Sequence, residues 1–138
     1  DVSQAIRSML VTENVSAVSA VKYVREAMVE IQRNIGKKTN CVVEGRDIGT
    51  VVFPDAEFKI FMVADDKMRA ERRLKELHLM AENRSLQEVM NNLKKRDEKD
   101  STRSHSPLQK ADEAIEIDTS MLSIDQQVEK IINLVRKK

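Results

Sequence analysis

Three short apolar runs, residues 41–43, 58–63 and 114–117, constrain this chain most, because each is short enough to be a strand buried on two faces. Between and around them lie stretches with apolar residues at steps of three and four. Residues 15–35 carry Val18, Val21, Val24, Met28, Ile31 and Ile35 in that pattern, with Gly36 as the expected stop, and a weaker helical pattern of Val2, Ile6, Met9 and Leu10 precedes them. Asp65 and Asp66 suit the start of a helix over 67–80. Ser85 with Glu88, and Ser123 with Gln126, are capping boxes that open two more. Helix, strand, strand, helix pair, strand, helix is an α/β order, and short buried strands pair best as a parallel sheet covered by helices. Three strands are few for so many helices, so a further strand is expected from an upstream segment or a partner chain.

Composition narrows the class. The 138 residues hold 24 Lys+Arg against 23 Asp+Glu, a formal charge of +1, so no global field draws the chain to a nucleic acid polymer or a membrane. No apolar run approaches the ~18 residues that span a bilayer, and no basic-then-apolar leader opens the sequence. One cysteine, Cys41, makes no internal disulfide and reads as a small buried hydrophobe in a reduced, cytoplasmic setting. The seven methionines read mostly as core, and His78 and His105 as surface residues. Gly36, Gly45 and Gly49 are too scattered to form a glycine-rich phosphate loop. No linker or repeat divides the chain, so one domain, or one piece of a domain, is expected over 1–138, with a charged, exposed and mobile helical region over residues 65–113.

Three constellations could carry chemistry. Glu44-Gly45-Arg46-Asp47 follows the first apolar run, where open α/β sheets bind ligands; a turn with a local ion pair explains the same spacing. Arg96, Asp100 and Arg103 fall on one helical stripe on which Asp100 can orient both arginines, although a solvated face has the same pattern. Arg69, Arg72 and Arg73 share a face at steps of three and four with no carboxylate on the apolar side, although a merely solvent-exposed face has the same pattern. Such guanidinium groups repel unless an anion such as phosphate joins them.

The runs VVEGRDIGTVVFPDAEFKIFMVA, RAERR, KKRDEKDSTRSHSPL and ADEAIEIDTSMLSID together resemble the bacterial cytidylate kinases, a family of P-loop nucleoside-monophosphate kinases, over nearly the whole chain. The resemblance implies transfer of the ATP γ-phosphate to CMP or dCMP, with Mg2+, on a parallel sheet topped by a helical lid over about residues 65–103. It implies pyrimidine contacts from Ser16, Arg25 and Asp47, and contacts to the acceptor's sugar, phosphate and base from Arg46, Arg96, Asp100 and Arg103. Catalytic charge neutralisation falls to the lid arginines Arg69, Arg72 and Arg73 together with Arg96. Glu44, where the family often has Asp, is the expected Mg2+ ligand, acting through water.

The family's first strand and its G-x-x-x-x-G-K-[ST] loop have no counterpart in these residues. The chain is therefore expected to be the C-terminal part of such an enzyme, inactive alone and liable to self-associate, whereas the parent is expected to be a cytoplasmic monomer. The competing expectation is a non-catalytic α/β module that binds a protein partner or a phosphorylated ligand.

Overall fold

The computed structural model describes residues 1–3 and 5–137. After a 3-10 turn at Ala5–Arg7, helices α1 (Met9–Ser19) and α2 (Lys22–Gly36) lead into a segment without regular secondary structure and a π turn, Ile48–Val52. Strand β1 (Ile60–Val63), helices α3 (Asp66–Leu79) and α4 (Leu86–Thr102), strand β2 (Ile115–Asp118) and helix α5 (Ile124–Arg136) complete the order. β1 and β2 pair in parallel, with Ile60 opposite Ile115 and Val63 opposite Asp118, and the α3–α4 pair is the crossover between them. The architecture is thus α/β with a small parallel sheet and helices.

Local chemistry accounts for the boundaries. Asp65 caps α3 by accepting from the Lys67 and Met68 amides at 2.9 and 3.3 Å. Both capping boxes form, at Ser85/Glu88 and at Ser123/Gln126. The expected helix over 15–35 is instead two helices, broken at Ala20 and Val21. Ser19 turns its hydroxyl onto the Ser16 carbonyl, and Val21 takes an extended backbone, so the first helix closes on its own side chain. That break lets Ser16 and Arg25 look into one cavity from two directions.

Gly36 is the last residue of α2 and has no left-handed backbone. Its role is proximity: a Cβ there would lie 2.6 Å from the Phe53 ring. Residues 41–43 form no strand, and Cys41 and Val42 are exposed rather than buried. A run of strand-forming residues forms no ladder when no neighbouring edge accepts its backbone, and among the described residues β1 and β2 pair only with each other.

The core sits between α3 and α4, where Ala70, Leu77 and Val89 are buried and Met9 of α1, Leu74, Leu86, Met90 and Leu93 pack around them. Met28, Met62 and Met121 are exposed, so the methionines are not mostly core. The apolar stripes of α2 (Met28, Ile31, Ile35) and α5 (Ile124, Val128, Ile132, Val135) also stand open. α2 instead turns its polar face to the π turn, with Arg33 donating to the carbonyls of Val52 at 2.9 Å and Val51 at 2.6 Å. No helix among the described residues is long and apolar enough to cross a membrane.

Candidate functional site

The end of α1, the inner face of α2, the segment before the π turn and the last turns of α4 converge on a cavity of about 160 Å³. Ser16, Arg25, Arg46, Asp47, Arg96, Asp100 and Arg103, which lie as much as 87 positions apart in sequence (103 − 16), all line it. A tight turn after α4 aims the last of them. Ser106 adopts a left-handed φ of 53°, its carbonyl accepts from Arg103 Nε at 2.6 Å, and the Leu108 amide returns to the Asp100 carbonyl at 2.7 Å.

Charge dominates the cavity. Asp47, 2% exposed, is held by Arg25 through both Nε, at 3.0 Å, and Nη2, a fork that fits a carboxylate. Arg103 Nη2 lies 3.9 Å from the same carboxylate. Asp100, equally buried, faces Arg46 Nε at 3.3 Å, Arg103 Nη1 at 3.7 Å and Arg96 Nε at 3.8 Å. Asp97, one turn earlier, pairs with Arg46 Nη1 at 2.9 Å and Arg69 Nη2 at 2.6 Å. Four guanidinium groups (Arg25, Arg46, Arg96, Arg103) thus line the cavity with two carboxylates (Asp47, Asp100), an excess of two positive charges. Burial, with the Arg46 charge beside it, pushes Arg96 below the ordinary guanidinium range, so an anion entering here relieves a destabilised cation.

Among the described residues four buried polar atoms, Ser16 Oγ, Gln32 Oε1, Arg96 Nε and Arg103 Nη2, have no hydrogen-bond partner, and all four residues line this one cavity. A buried unpaired donor or acceptor costs about 1–3 kcal/mol, and a ligand bearing phosphate and a hydrogen-bonding ring edge would remove that cost.

The arginines of α3 depart from expectation. They do not form an open cationic face, because α4, the N-terminal segment, the loop after β2 and α3 itself supply acceptors. Arg69 pairs with Asp97 and, at 3.5 Å, with Asp66. Arg72 donates to the Thr119, Ser120 and Leu122 carbonyls beyond β2. Arg73 reaches the Arg7 carbonyl at 2.7 Å, Thr12 Oγ1 at 3.0 Å and Glu76 at 3.0 Å. Only Arg69 joins the charge cluster of the cavity.

Glu44 is exposed and lies outside the cavity lining, and among the described residues no three His, Cys, Asp or Glu gather as a metal cage. The local ion pair that its neighbours could have formed is also absent, since Arg46 turns to α4 and Asp47 to α2.

One cavity residue, and one carboxylate paired with Arg46 beside the cavity, escape the sequence reading. Gln32 stands seven positions after Arg25, two turns along the same face of α2. Asp97 sits in a dense charge run, where nothing local separates it from Glu98 or Lys99.

The family model described as cytidylate kinase matches residues 1–137. The chain belongs to the cytidylate kinase family. It is 49% identical to the cytidylate kinase of Lactobacillus gasseri over 138 residues, covering 100% of this chain and 60% of that protein. It is likewise 49% identical to the cytidylate kinase of Fusobacterium nucleatum over 138 residues, 62% of that protein. To the cytidylate kinase of Bacteroides thetaiotaomicron it is 50% identical over 129 residues, 94% of this chain and 56% of the relative. The chain therefore spans about 60% of the length of the curated cytidylate kinases it matches.

Proposed function

We propose that the protein carrying these residues transfers the γ-phosphate of ATP to CMP or dCMP, and that the 138 residues hold the acceptor site and lid of one catalytic domain. The observation that carries the reading is the two-charge excess of the arginines and aspartates lining the cavity, which equals the charge of a phosphate monoester dianion. Arg46, Arg96 and Arg103 take the acceptor's phosphate, Asp100 accepts from a ribose hydroxyl, and Ser16, Arg25, Gln32 and Asp47 face the base.

Cytosine presents an amino donor beside the acceptors N3 and O2, which suits acceptors at Asp47 and Gln32 together with donors at Ser16 and Arg25. Uracil would turn an oxygen toward Asp47 and leave a buried charge opposed by lone pairs. In the transfer, a phosphate oxygen of CMP attacks the γ-phosphorus, the bond to the β,γ-bridging oxygen breaks, and CDP and ADP result. Positioning and charge neutralisation supply nearly all of the catalysis in this class. Arg69 is the α3 arginine best placed to neutralise the moving group. Arg72 and Arg73 reach it only by leaving their present partners.

No G-x-x-x-x-G-K-[ST] occurs in the 138 residues, and the relatives are longer, so we place the cradle for the ATP phosphates in a segment outside them. Mg2+ would enter with those phosphates, and no step here is routed through Glu44. On this reading the whole protein is a cytoplasmic monomer acting on free nucleotides, and the open apolar faces of α2 and α5 predispose the isolated piece to self-associate.

Incubating the full-length chain with ATP labelled in its γ-phosphate and with CMP tests the reading. Labelled CDP is expected, with none from the isolated 138 residues. A full-length chain that makes no CDP, or isolated residues that turn over, would each overturn the corresponding half.

A further inference from the structure

Asp97 occupies a place that the acceptor site alone does not explain. One of its oxygens pairs with Arg46 Nη1 at 2.9 Å and the other with Arg69 Nη2 at 2.6 Å. Arg46 comes from the segment before the π turn, whereas Arg69 comes from α3, so a single carboxylate on α4 joins two elements that make no direct ion pair. Two guanidinium groups brought this close repel, and a shared carboxylate cancels the repulsion and sets their spacing.

Both arginines remain accessible, with side chains 30% and 29% exposed, so the pair is open to a ligand. Asp97 is not needed to hold α3 against α4, because Ala70, Leu77 and Val89 already do so from a buried apolar seam. Arg46 also has a second hold, Asp100 at 3.3 Å from its Nε. The remaining partner of Arg69, Asp66, lies at 3.5 Å with a side chain 72% exposed, and an exposed pair of that kind fixes little.

We propose that Asp97 is a positioning residue that yokes Arg46 to Arg69, so that the guanidinium holding the acceptor phosphate and the one neutralising the moving phosphoryl group keep a fixed separation. The inference rests on the kinase reading for its consequence, but not for its geometry. Loss of Asp97 frees Arg69 and leaves Arg46 on Asp100. Acceptor binding then survives while the transfer geometry does not.

The test compares Asp97→Asn and Asp97→Glu in the full-length chain. Asp97→Asn should lower kcat for CMP by about 10- to 100-fold, the range expected when a charge-neutralising group is misplaced, with KM for CMP changed by no more than about threefold. Asp97→Glu should recover part of the loss, and the melting temperature should not move. In an Arg69→Ala background Asp97→Asn should cost little more, because its partner is already gone. An unchanged kcat, equal costs in both backgrounds, or a fall in kcat matched by a fall in melting temperature would overturn the yoke. A full-length chain inactive toward CMP would instead overturn the kinase reading. In that case the arginine side-chain NMR signals still decide the yoke: Asp97→Asn should shift Arg46 and Arg69 and leave Arg25 in place, and unmoved signals would reject it.

Discussion

Arg25 grips Asp47 with both Nε and Nη2 of its guanidinium, so a fully buried carboxylate of the cavity is neutralised from a helix residue 22 positions earlier in the chain. Asp47 sits in the turn entering the π helix and Arg25 one turn into α2, and the pair binds those two elements across the cavity floor.

Removing one member of this pair should cost more than removing both. Arg25→Met leaves a carboxylate that is 1% exposed without its fork, and the expected loss is about 3 kcal/mol. The double variant Arg25→Met/Asp47→Leu should be less destabilised than the sum of the two single variants, because the buried charge disappears with its partner. Urea unfolding of the four proteins measures the coupling, and strict additivity would count against it.

Base selection should depend on Asp47. Asp47→Asn replaces a pure acceptor with a group that can donate, and its amide can satisfy the O4 of uracil. The ratio of kcat/KM for CMP to that for UMP should fall by about 100-fold or more. Gln32→Leu, which removes an unpaired buried acceptor, should lower kcat/KM for CMP while leaving the fold intact. Steady-state assays with the two nucleotides separate these outcomes, and an unaltered ratio in Asp47→Asn would remove Asp47 from base reading.

Gly36→Ala should destabilise the chain although alanine favours helices. The new methyl would lie 2.6 and 2.7 Å from atoms of the Phe53 ring, so the ring or the end of α2 must shift, at about 1–3 kcal/mol. Thermal unfolding reads the loss, and a Phe53→Leu background should recover part of it.

Acid should loosen two local motifs, the capping box that opens α4 and the turn that closes β2. Bonds from the Ser85 backbone and hydroxyl hold Glu88 below its usual value of 4.5, and bonds from the Ser120 hydroxyl and backbone hold Asp118 below 3.8. A carboxylate depressed on folding contributes stability that is present above its unfolded value and lost as pH falls through its folded one. The urea midpoint should therefore drop as pH falls from the ordinary carboxylate range downward. Glu88→Gln, which keeps an acceptor but no titrating group, should flatten part of that slope.

The helix starts were legible because they are written in contiguous residues: Asp65 before α3, Ser85 with Glu88, and Ser123 with Gln126 each close a bond within three positions. The parallel pairing of β1 with β2 was legible from two apolar runs around a helix pair. The kinds of residue in the cavity were legible too, since seven side chains named from sequence line it. Partner choice was not. That Asp47 belongs to Arg25, that Asp97 joins Arg46 to Arg69, and that Arg72 serves the carbonyls after β2 depend on which elements pack together. The run at 41–43 shows the same limit from the other side, because a strand exists only where a neighbouring edge accepts its backbone. Sequence by itself determined where elements begin and which charges the chain carries. Tertiary structure decided how those charges are shared, because an ion pair depends on a few ångströms of separation and local spacing carries no information about a partner dozens of residues away.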